Sequence, residues 1–492
     1  MMPRTFADLA SLTPFLLLAG GGLLLVLIDT IAGRRPRIPW AVPAAILLAA
    51  ALGSILALFQ NPPAGGPLDR LAVADPFALF VASLVCVAAL LTVALSDSYL
   101  ARIGRPRGEF YALLLFSASG MVLFASTTDL LMLFLGLELL SIPIYILSAY
   151  VRSDVKSSEA GLKYFLLGSF SSAAFLLGIA LLYGASGTTD LREIAAAGSP
   201  WPGLLAAGSV LLLSGFLFKV ASVPFHMWAP DVYEGAPTTV TAFMATAVKV
   251  AAFGALLRVV SLRAPALSTV SAEKLFFWLA VLTMSVGNLA ALTQSNVKRM
   301  LAYSSIAHAG YILVGVTVFL GTGDPQAVTG ILYYLLAYTF MTIGAFAVVI
   351  VWGEKGNEHL DMGDYAGLGW RYPAAGIAMS LFMISLAGIP PTAGFFGKYA
   401  IFANAVEHGR IPIVVIAVLN SALSVAYYLR LLVTLYMRPD TGKVTAPRAW
   451  IPAAVVGVCA LAVLWAGFGP DGILPGVPTL LAWARDSVLA AR

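Results

Sequence analysis

The feature that most constrains this chain is a succession of apolar runs, each about twenty residues long, joined by short polar links. A bilayer core about 30 Å thick requires about 20 apolar residues of helix, at about 1.5 Å of rise per residue. Hydrocarbon offers no partner to an open backbone, so such runs fold as helices. About fourteen spans are read on this template: near 12–31, 39–59, 75–96, 109–126, 128–149, 161–184, 203–222, 236–260, 274–294, 299–320, 326–352, 374–396 continuing past Lys398, 411–437 and 450–469. Only 11% of the 492 residues are charged, against about 25% in soluble domains. The expected fold is an all-α polytopic membrane protein. Arg4 is followed by a long apolar run without a small-residue cleavage site, so that run is read as a retained span rather than a signal peptide.

The basic residues give an orientation. Loops after odd-numbered spans carry fifteen of the twenty-nine lysines and arginines, the opposite side carries eight, and six lie within or at the edge of spans. This bias assigns the odd-numbered loops to the cytoplasm and both termini to the outer side. The longest polar connection, 353–373, is read as a solvated loop with His359 exposed, and His408 is read the same way.

The charges inside spans carry the chemistry. Lys219 and Lys249 each stand alone in an apolar run, and Pro224, five residues after Lys219, is expected to break that helix just beyond the charge. Glu138 lies near the middle of span 5 and His308 about a third of the way into span 10. Lys398 follows the Gly388–Pro391 break in span 12. Ionisable groups in hydrocarbon are costly and mark function unless they snorkel to an interface. Snorkelling is an alternative for Lys219 and Lys163, a packing role is one for His308, and a capping or loop role is one for His226 and Asp231. Lys249 has at least ten mostly apolar residues on either side, which makes escape to an interface harder.

These groups recur at an interval of five spans: Glu138 in span 5 and His308 in span 10, then Lys219 in broken span 7 and Lys398 in broken span 12. Five is odd, so the second copy is expected to be inverted, with paired broken helices as in transporters. The expected division is a three-helix segment 1–100, a first five-helix repeat 101–262, a second 272–438, and a C-terminal helix and tail 439–492. A carboxylate and a lysine placed together in low dielectric hold each other charged. At 4 Å and an effective dielectric of 20 the pair is worth about 4 kcal/mol, or roughly 3 pKa units. Changing their separation therefore moves a neighbouring lysine across neutral pH, and a water-bridged row of such groups can pass protons. A static ion pair of Glu138 with Lys219 is the alternative. The two cysteines, Cys86 and Cys459, have no ligand spacing, the four histidines include no two on one span, and no nucleotide fingerprint is present.

The stretches GLELLSIPIYIL around Glu138, LKYFLLGSFSSA around Lys163, FKVASVPFHMWAPDVYEGAPT with Lys219 and His226, and GIPPTAGFFGK ending at Lys398 closely resemble the antiporter-like membrane subunits of respiratory complex I. The resemblance covers about residues 75–440. Lysine rather than glutamate at 398, and no long lateral helix after span 14, favour the N branch of that family. The resemblance implies a switchable Glu138–Lys219 pair, a central relay at Lys249 and a terminal lysine at Lys398. Lys163 and His308 would extend the polar axis, with His226 in the same motif. It also implies a subunit of NADH:quinone oxidoreductase in the bacterial inner membrane, beside another antiporter-like subunit and small membrane subunits. This chain would hold no cofactor; NADH, FMN, iron–sulfur clusters and quinone would belong to partner subunits, and no nucleic acid would be bound. Three alternatives stay open: a cation/proton antiporter of the Mrp type, a membrane subunit of a related hydrogenase complex, and a non-catalytic scaffold.

Overall fold

The computed structural model describes residues 9–32, 39–63, 71–104, 107–196, 201–261, 272–354, 358–445 and 449–468. The tail after 468 and the expected outward placement of both termini lie outside the described residues. Among the described residues, 13 helices are long and apolar enough to cross a membrane. One further crossing is split into Pro373–Ala387 and Ala393–Glu407. The fourteen crossings expected are therefore present.

Spans 1 to 6 are Thr13–Ala32, Ala41–Gln60, Pro76–Arg102, Gly108–Ser126, Leu130–Ser148 and Val155–Ser186. Span 7 comprises Pro202–Val220 and the half-helix Trp228–Gly235. Span 8 runs through Thr238–Phe243, a π-helical turn Met244–Val248, and Lys249–Ser261. Spans 9 to 11 are Ala272–Leu292, Val297–Thr322 and Pro325–Trp352; spans 13 and 14 are Ile411–Met437 and Trp450–Gly467. Side-chain caps start several of them: Asp75, Asp129, Asp154, Asn296 and Asp324 each accept from a backbone N–H of the first turn. Span 6 begins at Val155 rather than near 161, because its capped first turns carry Lys156 and Glu159, which hydropathy does not register.

The expected five-span repeat can now be followed at an offset of 167 positions through its helix contacts, caps and breaks, while the bridge partners Asp190 and Asp361 stand 171 apart and the arginines Arg258 and Arg430 stand 172 apart. Gly120 of span 4 faces the backbone nitrogen of Leu140 in span 5; Gly287 of span 9 faces that of Ala307 in span 10. The cap Asp129 forms an antiparallel bridge with Asp190, and the cap Asn296 forms one with Asp361. Ala221 and Gly388, both in left-handed conformation, end the first halves of spans 7 and 12. Arg258 of span 8 donates from Nε to the carbonyl of Ala125 at 3.0 Å. Arg430 of span 13 donates to the carbonyl of Leu292, the equivalent of Ala125, at 2.7 Å. An odd number of crossings separates the copies, so they are inverted. Span 8 is enclosed by protein along its whole apolar length.

The loop after span 11 departs from expectation. His359 is 6% exposed, with its ring nitrogens 3.5 Å from Glu354 and 3.9 Å from Asp364. Glu358 turns inward onto Lys298 at 3.1 Å. The acids of this loop find cationic and hydroxyl partners at the ends of the spans, which folds the loop over the bundle instead of leaving it in solvent.

Candidate functional site

Besides Lys298, which is 1% exposed and paired with Glu358, three lysines are buried inside the bundle: Lys219 and Lys249, each 2% exposed, and Lys398, 4%. None has a carboxylate within 4 Å among the described residues, and each is accommodated differently.

Lys219 sits on the last turn of the first half of span 7. Its ammonium lies 3.4 Å from the Tyr145 hydroxyl and faces the rings of Tyr145, Tyr164 and Phe218, with centroids at 5.3, 5.5 and 5.7 Å. Quadrupolar faces stabilise a cation without supplying a countercharge. Tyr164 stacks on Trp228 of the second half of span 7, with centroids 4.3 Å apart, and the Trp228 indole N–H donates back to the Phe218 carbonyl at 3.1 Å. The two halves of the broken helix are thus fastened around the lysine. The break comes at Ala221, three residues before Pro224. Glu138 is close enough to act electrostatically on Lys219 but makes no ion pair with it, and its Oε1 is buried without a hydrogen-bond partner.

Lys249 follows the π-helical turn directly and donates to the carbonyl of Ser305 in span 10. A π-turn shifts the helical register locally and is often found at functional positions. His308, one turn beyond Ser305, has Nδ1 on the Tyr334 hydroxyl and Nε2 3.0 Å from the Tyr428 hydroxyl. It lies within electrostatic reach of both Lys249 and Lys398. Lys398 uses three donors at once: the carbonyls of Leu386 and Ala387 at 3.1 and 2.9 Å, and Ser421 Oγ at 2.9 Å. Those carbonyls end the first half of span 12, where unpaired C=O groups and the helix dipole favour a cation. The Tyr311 ring is 4.8 Å away, and its hydroxyl accepts from Asn288 at 2.9 Å.

Lys249, His308 and Lys398, with the hydroxyls of Tyr334, Tyr428 and Ser421, form a buried polar file, and Lys219 with Tyr145 and Glu138 forms a second group. Lysine and histidine can each gain and lose a proton, and the hydroxyls can both donate and accept. Two candidates stand elsewhere. Lys163 is 41% exposed and pairs with Glu159 and Asp231, both at 2.7 Å, in a surface cluster completed by Arg299, Glu234 and Lys156. His226 lies in the turn between the halves of span 7, half-buried, with Nδ1 unpartnered. The tyrosines around the lysines were missed in the sequence; only Tyr145, seven residues after Glu138, and Tyr311, three after His308, stand at helical spacing from a buried titratable residue on their own span. Arg258 and Arg430 were visible as charges in apolar runs, but their partners were not.

A family model described as NADH:quinone oxidoreductase/Mrp antiporter, TM matches residues 127–424. The sequence is 49% identical over 425 residues to NADH-quinone oxidoreductase subunit N of Trichlorobacter lovleyi, covering 85% of this chain and 84% of the relative. It is 42% identical over 516 aligned positions to NADH-quinone oxidoreductase subunit N of Myxococcus xanthus, covering 98% of each. Among solved structures, a chain of respiratory complex I from Thermus thermophilus with bound aureothin matches with a TM-score of 0.80 at 38% identity, covering 95% of this chain and 99% of that one.

Proposed function

Because the chain belongs to the NADH:quinone oxidoreductase/Mrp antiporter family of membrane subunits, we propose that it translocates protons through its buried lysines as part of an NADH-quinone oxidoreductase. The observation that carries this reading is the burial of Lys219, Lys249 and Lys398 with no carboxylate in contact. Burial without a countercharge makes the neutral amine accessible, and an isolated intramembrane charge is retained for function. Glu138 and Lys219 act as a switchable pair, Lys249 and His308 as the central relay, and Lys398 as the far end; Lys163 and His226 border the axis.

In this reading the loops after odd-numbered spans face the cytoplasm, both termini face outward, and the membrane is the bacterial inner membrane. The working units are the segments 1–100, 101–262, 272–438 and 439–492. The chain itself carries out no redox chemistry. NADH, FMN, iron–sulfur clusters and quinone belong to partner subunits, whose quinone reduction drives the axis; the neighbours are another antiporter-like subunit and small membrane subunits. The relatives named as subunit N favour this assembly over an Mrp antiporter.

The test is Lys249→Arg in the assembled complex, in proteoliposomes. Arginine keeps its proton at any accessible pH, so protons moved per NADH oxidised should fall by the share this chain carries. A wild-type proton yield would show that only the positive charge matters and would end the relay reading.

A further inference from the structure

Glu358 lies in the polar loop after span 11 and gathers groups from three spans. Its Oε1 accepts from the Tyr99 hydroxyl of span 3. Its Oε2 accepts from Thr238 of span 8 at 2.9 Å and from Lys298 of span 10 at 3.1 Å. Lys298 also donates, at 2.6 Å, to the carbonyl of Ala236, which closes the second half of span 7. The Glu358 side chain is 28% exposed. Its open side faces a cavity of about 620 Å³ lined by Arg102, Asp154, Glu234 and Glu354 among others. The carboxylate thus stands between a solvent-sized mouth and the first turn of the helix that carries Lys249.

Lys249 is eleven residues further along span 8, about 16 Å at helical rise. Further buried polar groups lie on the elements packed here: the Thr239 hydroxyl on span 8 and the Tyr365 hydroxyl within the loop have no hydrogen-bond partner, while the Ser305 hydroxyl on span 10 and the Thr342 hydroxyl on span 11 meet the Tyr338 phenol. Buried polar groups are almost always paired, so the unpartnered Thr239 and Tyr365 hydroxyls have hydrogen-bonding capacity to spare. Tyr365 lies within electrostatic reach of Glu358, while the Ser305 hydroxyl lies beside the Tyr233 and Tyr338 phenols. The carbonyl of Ser305 is the one that holds the Lys249 ammonium. Each of these hydroxyls can both donate and accept, and they stand at both ends of the route: Tyr365 beside the carboxylate and Ser305 on the residue that holds the lysine.

We infer that Glu358 is the uptake carboxylate of the Lys249 relay, taking a proton from the cytoplasmic mouth and passing it along Tyr365, Thr239, Thr342 and Ser305 to the neutral amine of Lys249. The inference rests on the relay reading above. One proton bonds to the carboxylate and later leaves it for the amine; the carboxylate returns to its anionic form beside Lys298, and no electrons move. The groups facing Glu358 are Lys298, Arg102, Tyr99, Tyr365 and Thr238. Burial pushes its carboxyl up, but the Lys298 charge and the hydrogen bonds from Tyr99, Thr238 and Lys298 outweigh this and hold it below the usual carboxylate range. Between uptake events it is therefore ionised and free to receive a proton.

The test uses the intact complex in proteoliposomes, with NADH added outside so that only complexes whose cytoplasmic mouth faces the buffer turn over. Proton yield and pumping rate are followed as outside pH is raised. We expect Glu358→Gln to lose pumping severalfold on the alkaline side and much less on the acid side, with Glu358→Asp keeping the wild-type profile. A wild-type profile in Glu358→Gln, or an equal loss at every pH, would overturn the assignment, the second outcome marking a structural staple. If Glu358→Gln does not assemble, Thr342→Val carries the test. It is near-isosteric and remote from the charged cluster, and should lower proton yield in a normally assembled complex; full yield there also overturns the inference. Lys249→Arg separates the two levels. Full pumping in it ends the relay reading, whereas loss in it combined with a wild-type Glu358→Gln ends only the role of Glu358.

Discussion

The two repeats share a backbone and differ in where they keep their charges. At an offset of 167 the broken helices coincide from Ala221 and Gly388 to Pro224 and Pro391. The lysines do not coincide. Lys219 has Leu386 as its equivalent, and Lys398 has Asp231. Glu138 corresponds to Ser305, and His308 to Ser141. In the first repeat the charge ends the first half-helix inside an aromatic box. In the second it starts from the other half-helix and reaches back to the same helix end, binding its carbonyls. Caps, glycine contacts and helix breaks fix the frame through the backbone, so they persist in both copies. A titratable side chain needs only a cavity and a few acceptors, which the frame offers on both sides of each break.

The largest expected effect lies where the frames agree and one partner differs. Arg258 caps span 4 and also makes a bidentate pair with Asp75, both contacts at 2.8 Å; Arg430 caps span 9 through carbonyls alone. Arg258→Met strands a mostly buried carboxylate, which costs about 3–5 kcal/mol. Arg430→Met leaves carbonyl groups unpaired and costs about 1–3 kcal/mol. Thermal denaturation of the purified complexes should rank them in that order. An equal or larger loss for Arg430→Met would mean that the Asp75 pair adds nothing to the shared cap.

The next effect concerns the breaks. Gly388 has φ +84°, and a Cβ placed there would stand 2.9 Å from Lys398 Cδ and 3.1 Å from Nζ. A left-handed residue with a side chain costs about 1–2 kcal/mol, against about 0.4–1 kcal/mol gained from a less flexible unfolded chain. Gly388→Ala should therefore destabilise modestly, by about 1 kcal/mol on those two values, while pushing the ammonium off its carbonyls. Proton yield should fall more than the melting temperature does. A normal yield would show that Lys398 does not depend on this seat.

Much of this was legible because hydrocarbon simplifies the reading. Every crossing announced itself as an apolar run, and the charges buried within the spans as interruptions of one. Pro224 and the Gly388–Pro391 segment located both breaks to within a few residues. The offset of 167 was not legible from charges, because Lys219 and Lys398 occupy different halves of their helices. The backbone landmarks, Gly120 with Gly287 and Asp129 with Asn296, reveal it, and these are ordinary residues until their contacts are known. Glu358 was hidden for a different reason. Polar residues in a polar loop carry no local sign of turning inward, and its partners Tyr99, Thr238 and Lys298 come from three distant spans.

The smallest expected effect is the sharpest test of the comparison. Ala221 holds the same left-handed conformation as Gly388, with φ +57°, and is fully buried. Ala221→Gly would release about 1–2 kcal/mol of backbone strain. It would also restore unfolded-chain freedom worth about 0.4–1 kcal/mol and remove a buried methyl group worth about 0.8 kcal/mol. These contributions nearly cancel, so the variant should melt close to wild type. Pumping should also be unchanged, because the Lys219 ammonium is held by Tyr145 and the surrounding rings rather than by the carbonyls of this helix end. A glycine at 221 that abolished pumping with stability intact would show that the rigidity of the first break is itself part of the mechanism. The two breaks would then differ in how they move and not only in which charge they carry.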